Sequence, residues 1–377
     1  MTRVAIIGCG AIGAAIAYEL SAIAELEITL LDCNEPATGA TRAALGVLMG
    51  AISRKTKGRA WQLRQASLQR YETLIPELEA LVGYPIPFNR QGLVRLCFEG
   101  ENLQQWEKLR EIRSSQGWPL EWWDREQLRR NCPQVECDRV EGAIYSPRDR
   151  QVHPVQLTRA LVTAAQMRGV NCKFGVEVQN LGATDVDANG NRRCDRIFLG
   201  DATLEIDALI VAAGIGSTPL IANLERPVQP PPQCDVRPVL GQALHLQLPE
   251  PLGNAEFQPV ISGDDINLVP LGQEEYWVGA TVEFPNAQGE VAADATLLQQ
   301  LQENATAFCP NLTRGKILST WSGLRPRPQG RPAPIIEPLA GYSNIILATG
   351  HYRNGILLAP VTAQLARSQL EAIRYIS

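Results

Sequence analysis

An apolar run, Val4-Ala5-Ile6-Ile7, opens the chain and breaks at Gly8-Cys9-Gly10-Ala11-Ile12-Gly13. Apolar residues continue from Ile12 to about Ile23, and a second short run, Ile28-Thr29-Leu30-Leu31, ends in Asp32. The pattern predicts a buried strand, a glycine turn, an apolar helix and a second buried strand. Trp61, Leu63, Leu68, Tyr71, Leu74 and Leu78 fall on one helical face and predict an amphipathic helix from about Gly58 to Leu81. A strand Gly92–Phe98, a charged helix Glu101–Ser115 and a helix Leu157–Met167 follow. Further strands are expected at Asn171–Phe174, Glu177–Leu181 and around Arg196–Leu199.

Leu209-Ile210-Val211-Ala212-Ala213-Gly214 is apolar enough for a central parallel strand running into small residues. Prolines at 227, 230, 231, 232 and 238 mark a linker. Beyond it the alternation at Gln242–Leu248, with partners at Ile266–Pro270 and Trp277–Val282, predicts antiparallel strands before a helix at about Ala293–Phe308. A buried strand Ile345–Ala348 and a helix from about Ile356 to Ile373 close the chain.

These elements predict an α/β protein of two parts. A discontinuous Rossmann-like dinucleotide-binding domain would take residues 1–84, 146–230 and 320–377. Residues 85–145 and 231–319 would form an α+β substrate domain with a mainly antiparallel sheet.

The first 32 residues carry the first chemistry. Gly8 permits the strand-to-helix turn, Gly10 lets backbone approach a pyrophosphate, and Gly13 lets helix and strand pack closely. The helix N-terminus beginning at Ala11 and Ile12 offers N–H groups and a partial positive charge to the phosphates. Asp32 is placed to accept hydrogen bonds from a ribose diol. The stretch leaves open whether the dinucleotide is NAD, NADP or FAD.

Composition narrows the class. The 377 residues are 45% hydrophobic and 20% charged with a formal net charge of −5, which gives no basic footprint for nucleic acid or an acidic membrane surface. No apolar stretch approaches the length of a membrane span and no leader precedes the first strand, so a cytoplasmic protein is expected. Nine scattered cysteines without a C-x-x-C pair read as reduced thiols, and His153, His245 and His351 are too dispersed for a metal site. Trp118, Trp122 and Trp123 are expected to cover a small core rather than form a ligand platform, and His153 to cap the helix that Pro154 starts.

Two segments of the tail carry a family resemblance: Trp321-Ser322-Gly323-Leu324-Arg325-Pro326, and Gly350-His351-Tyr352-Arg353-Asn354-Gly355-Ile356-Leu357-Leu358-Ala359-Pro360. With the N-terminal motif they make the chain resemble the D-amino-acid oxidase family of FAD-dependent oxidoreductases, most closely its glycine oxidase branch tied to thiamin biosynthesis. The resemblance covers nearly the whole chain and implies a noncovalent FAD. Its AMP half would lie on Gly8, Gly10, Ala11, Ile12, Gly13, Asp32 and Cys33. Its flavin would lie along Thr41, Arg42, Ala43, Ala44, Leu45 and Gly46, with Val178, Ala213, Gly214, His351, Tyr352, Arg353, Asn354, Gly355 and Ile356 completing the site. Covalent relatives attach flavin through a tail cysteine, and none of the nine cysteines lies in 310–377.

The resemblance further implies oxidative deamination of glycine, sarcosine or D-alanine to the imine and keto acid, with O2 reduced to H2O2, by a soluble homo-oligomer. An arginine fork suits the substrate carboxylate. Arg325, restrained between Gly323 and Pro326, falls where the family places that residue, while Arg353 lines the flavin edge or pocket mouth and Arg327 and Arg331 are expected at the surface. Where relatives carry a substrate-contacting tyrosine this chain has Asn267, with Val282 as a nearby apolar wall. The start of the last helix would face the flavin pyrimidine edge and stabilise the reduced ring, with His351 in a supporting role. A dehydrogenase using another electron acceptor and a flavin-binding protein without turnover stand as alternatives.

Overall fold

Strand Thr2–Ile7 lies at the centre of the first sheet because nothing polar interrupts its inner positions: Val4, Ala5, Ile6 and Ile7 are all buried in the computed structural model of the chain. The structure describes residues 1–136, 138–186, 188, 190–224 and 234–376. Thr2–Ile7 pairs in parallel with Leu26–Asp32 on one side and Ala208–Val211 on the other. The six-stranded order is Ile335–Pro338, Ile345–Thr349, Ala208–Val211, Thr2–Ile7, Leu26–Asp32 and Asn171–Phe174, parallel except for the Ile335–Pro338 edge. The chain thus leaves the central strand in one direction and returns from far along the sequence on its other flank. That reversal opens a crevice above the C-terminal ends of the strands. Helices Ala11–Leu20, Pro154–Met167 and Gly355–Ile376 pack together on one face.

The second sheet has eight strands in the order Lys316–Pro328, Val236–Gln247, Glu275–Gly279, Ile266–Gly272, Val260–Gly263, Leu93–Phe98, Val140–Ser146 and Glu121–Asp124. It is antiparallel throughout except where Val260–Gly263 runs parallel to Leu93–Phe98. Helix Ala295–Phe308 covers its far face, where Leu301, Ala305 and Phe308 meet Leu244, Leu268 and Val278 in a separate core.

Most elements lie within two or three residues of their sequence positions. Four differ for identifiable reasons. Val236–Gln247 begins six residues early and carries Pro238 inside a strand. The segment Trp321–Pro326, which has no simple alternation, belongs to a 13-residue edge strand whose outer half is exposed. Glu275–Gly279 stops before Ala280, so Val282 is outside it. The strand expected at Glu177–Leu181 is Asn180–Ala183, shifted along the chain. The linker prolines 227, 230, 231 and 232, part of the Asp187–Asn191 turn and Cys137 lie outside the described residues; the other eight cysteines are free thiols. No helix among the described residues is long and apolar enough to cross a membrane.

Candidate active site

One continuous cavity of about 1070 Å³ runs from the glycine turn of the first sheet to the inner face of the second. It is larger than a site for one small molecule needs, and its length accommodates a dinucleotide with a substrate beyond it.

At the first end Gly8 has φ +105°, a conformation that favours glycine, and a Cβ there would sit 2.5 Å from the Ala212 carbonyl oxygen. Gly13 stands behind the turn, where a Cβ would collide with the Gly8 carbonyl. It therefore shapes the cavity without lining it. Asp32 ends its strand at the cavity wall, accepting from the Cys9 N–H at 2.6 Å and the Asn34 N–H at 2.8 Å, and its remaining lone pairs are available to a ribose. Helix Ala11–Leu20 starts at Gly10 with no side-chain cap and no acidic residue in its first turn, the arrangement an incoming phosphate requires. Cys33 lines the same end; burial and the neighbouring Asp32 charge push its thiol up, which keeps it protonated.

Thr41, Ala43, Ala44, Leu45 and Gly46 line the middle of the cavity. Thr41 is buried and its hydroxyl accepts from the Ala11 N–H at 3.0 Å, tying this loop to the start of helix Ala11–Leu20. Arg42 does not line the cavity. In the short helix Ala40–Ala43 consecutive side chains point in different directions, and Thr41 takes the inward one while Arg42 is exposed. The tail signature holds the loop from the opposite side: the Trp321 indole N–H donates to the Ala43 carbonyl at 3.2 Å, and Gly323 faces the Ala43 methyl so closely that a Cβ would overlap it. Val178, Ala213, Gly214, His351, Tyr352, Arg353, Asn354, Gly355 and Ile356 also line the cavity. These features fit FAD.

Arg325 occupies the next inward-facing position of the Lys316–Pro328 strand after Trp321 and Gly323. It pairs in register with Val239, and its guanidinium lies across Gly241, where any Cβ would strike it. Its Nη1 donates to the Leu240 carbonyl at 3.0 Å, and among the described residues no carboxylate pairs with it. Burial, and then the like charge of Arg353, push its pKa below the ordinary arginine value. A half-buried guanidinium that faces a cavity without an acid partner favours an anion there. Asn267 projects into the same cavity from Ile266–Gly272, and its side-chain oxygen is buried without a partner. Val282 does not line the cavity; Ala280 does, because the Glu275–Gly279 strand ends just before it.

His351 is fully buried, shares a 2.9 Å hydrogen bond with Thr362 and is held neutral, its pKa lowered to about 3 by burial. His153 caps the Pro154–Met167 helix, accepting from the Gln156 N–H. Arg331 pairs with Glu337 at 2.7 Å and Arg327 lies over the Phe284 and Tyr352 rings; neither lines the cavity. Trp118, Trp122 and Trp123 belong to core clusters. The lining tryptophan is Trp106, with Arg54, Arg64, Arg95, Ser262 and Asp265. None of these six carries a motif. Trp106 and Arg95 have the spacing of ordinary helix and strand residues, and only the strand register, which pairs Arg95 with Ser262 and Ser262 with Asn267, brings Arg95 to the cavity.

This architecture has solved counterparts. The structure of glycine oxidase from Geobacillus kaustophilus superimposes with a TM-score of 0.84 at 26% identity, covering 99% of this chain and 95% of that one. In sequence, a bifunctional protein ThiO/ThiG of Nostoc sp. is 32% identical over 372 residues, 97% of this chain and 52% of that protein. One from Synechocystis sp. is 32% identical over 367 residues, 96% of this chain and 50% of that protein. The chain therefore spans about half the length of these curated relatives. The Geobacillus kaustophilus glycine oxidase sequence is 26% identical over 98% of this chain and 92% of that protein. The glycine turn, the Thr41 loop and the tail signature that grips it all lie within residues 3–369, which match the family described as FAD dependent oxidoreductase, and the chain belongs to that family.

Proposed function

We propose that the chain is an amino-acid oxidase of glycine oxidase type, acting on glycine or another small amine such as sarcosine or D-alanine. One observation carries this reading: the half-buried, acid-free guanidinium of Arg325 faces the cavity that the Thr41 loop also lines. FAD held along the glycine turn, the Thr41 loop and the Gly350–Ile356 segment would supply a two-electron hydride acceptor for the substrate α-carbon, with O2 as the oxidant that leaves as H2O2.

The residues of this chain do the positioning. Arg325 receives the carboxylate, and hydrogen bonds to charged groups contribute about 1.5–3 kcal/mol each. Asn267 offers its unpartnered oxygen to a substrate N–H and so orients the amine; the reacting form is the amine that has released its ammonium proton to solvent, and its lone pair forms the C=N bond as the hydride departs. Water then hydrolyses the imine to the keto acid and ammonia. No histidine is needed as a base, and His351 is held neutral by burial with its Nε2 bonded to Thr362. The start of helix Gly355–Ile376 lines the cavity with its N-terminal groups. A Cβ on Gly355 would touch no protein atom closer than 3.7 Å, so the space it vacates opens to the ligand.

The likeness to proteins named ThiO/ThiG supports a role in supplying the imine product to thiamin thiazole assembly. We place the protein in the cytoplasm as a homo-oligomer, with a small amino acid and O2 as its partners. The test is anaerobic addition of glycine, sarcosine and D-alanine to the purified holoenzyme. Bleaching of the flavin band, with return of colour and H2O2 on admitting air, is expected. A flavin that no small amino acid reduces overturns the reading, and reduction without rapid reoxidation by air makes the enzyme a dehydrogenase.

A further inference from the structure

We infer that the cavity has a second anion-binding end, formed by Arg54 and Arg95 against Trp106, which favours amino-acid substrates bearing a second carboxylate remote from Arg325. This rests on the amino-acid oxidase reading above and specifies its substrate class.

The placement follows from strand register. Asn267 pairs with Ser262, and Ser262 pairs with Arg95, so the three lie in one row across adjacent strands and face the same side of the sheet. The same row continues from Asn267 to Gly279 and Ala243, next to the strand that carries Arg325. At roughly 4.8 Å per strand, the Arg95 backbone lies about 10 Å beyond that of Asn267. A substrate anchored at Arg325 and passing Asn267 therefore points its far end toward Ser262 and Arg95.

Around Trp106 two arginines face one acid. Trp106 is buried, with the Arg54 guanidinium 4.8 Å and the Arg95 guanidinium 5.9 Å from its ring centroid. Glu101 answers one of the two charges: it pairs with Arg95 at 3.3 Å and accepts from the Trp106 indole N–H at 3.4 Å. Arg54 has no hydrogen bond or ion pair among the described residues. Its backbone is nevertheless fixed. Asp149 accepts from the N–H groups of Gly50, Ala51 and Ile52, and Arg113 donates to the carbonyls of Ala51, Ser53 and Lys55. A guanidinium on an immobilised loop, stacked on an aromatic ring and lacking an acid, is organised in advance for a carboxylate. Among the carboxylates lining the cavity, Asp32 and Glu177 flank the nucleotide end and Asp265 is exposed. Monoanionic glycine has no group that uses this end.

The test compares acetate with glutarate as ligands of the oxidised holoenzyme, read by perturbation of the flavin spectrum. Glutarate is expected to bind about tenfold more tightly than acetate. In Arg54→Glu, at an exposed position without a hydrogen bond or ion pair among the described residues, that ratio should fall below about threefold. The double variant Arg95→Met with Glu101→Gln, which leaves no buried acid unpaired, should lower it as well. Equal affinities in the unaltered protein, or a ratio that neither variant changes, overturn the inference. If glycine bleaches the flavin but the ratio is near one, the second end alone fails. If no amine reduces the flavin and neither acid perturbs it, the parent reading fails and takes this one with it. Rates with D-glutamate and with N-(2-carboxyethyl)glycine then distinguish a second carboxylate on the side chain from one on the amine.

Discussion

Asp149 and Arg113 hold one segment of chain from opposite sides, Asp149 through the N–H groups of Gly50, Ala51 and Ile52 at 2.7–2.9 Å and Arg113 through the carbonyls of Ala51, Ser53 and Lys55 at 2.6–2.9 Å. Both are fully buried, and the Arg113 guanidinium lies 3.5 Å from the Trp61 ring centroid. Burial opposes both charges, raising the Asp149 pKa and lowering that of Arg113 to about 10. Neither residue touches the ligand cavity, yet the segment they grip supplies Met49, Ile52, Ser53 and Arg54 to its wall.

Asp149→Asn should therefore be costly out of proportion to its size. The amide keeps one acceptor where the carboxylate offered two, and its NH2 group faces backbone donors. A loss of about 2–4 kcal/mol is expected in urea denaturation, with the glutarate preference falling in the folded fraction. A loss below about 1 kcal/mol would mean that the loop is held by packing instead.

Two glycines on neighbouring strands separate cofactor binding from substrate binding. A methyl on Gly241 strikes the Arg325 guanidinium, whereas one on Gly323 strikes Ala43 of the flavin loop. Gly241→Ala should leave FAD affinity unchanged and lower kcat/KM at least about tenfold, by displacing the carboxylate anchor. Gly323→Ala should weaken FAD itself, seen as a higher Kd in reconstitution of the apoprotein. If both substitutions affect only FAD, Arg325 does not meet the substrate.

Of these two glycines only Gly323, within the tail signature, was legible in the sequence. The glycine turn, Asp32 and the tail signature were readable because each holds a backbone conformation or a close approach that few residues satisfy. The structure divides the tail signature by strand alternation: Trp321 and Gly323 meet Ala43 of the Thr41 loop, and Arg325 faces the cavity over Gly241. Arg54, Arg64, Arg95 and Trp106 were not legible, since their place in the cavity depends on which strands become neighbours and on a loop fixed by residues as distant as Arg113 and Asp149. Arg42 stands outside the lining for a local reason: in a single helical turn Thr41 faces inward and the Arg42 side chain is exposed.

His351 gives the protein a predictable acid sensitivity. Its pKa falls from 6.5 to about 3 on folding because the buried ring loses hydration. Between those values the unfolded chain binds the proton and the folded chain does not. Stability from this group is thus fully present above 6.5 and is lost, by about 1.4 kcal/mol per pH unit, as the pH falls toward 3. Urea midpoints measured at pH 7 and pH 5 should diverge in the unaltered protein. His351→Gln, whose amide still reaches Thr362, should lose a correspondingly smaller amount over the same interval. Identical pH dependence in the two proteins would show that other groups set it.

Arg325 gives the sharpest test, because its two roles have different signatures. As a structural group it donates to the Leu240 carbonyl, and losing that bond costs about 1 kcal/mol, visible as a small fall in denaturation midpoint. As the carboxylate anchor it makes charge-assisted bonds that the folded protein otherwise leaves unmade, and losing two of these costs about 3–6 kcal/mol of substrate binding. Arg325→Ala should therefore hold FAD, unfold at nearly the same urea concentration, and reduce with glycine at least a hundredfold less efficiently. Arg325→Lys keeps the charge but not the fork, and should recover part of the affinity with poor alignment of the α-hydrogen, so that KM improves over the alanine variant while kcat stays low. Added guanidinium should restore activity to Arg325→Ala and leave Arg325→Lys unaffected, since the alanine substitution alone leaves room for it over Gly241. Turnover of glycine by Arg325→Ala at the rate of the unaltered enzyme would remove the anchor, and the direction of substrate approach built on it would have to be redrawn from Asn267.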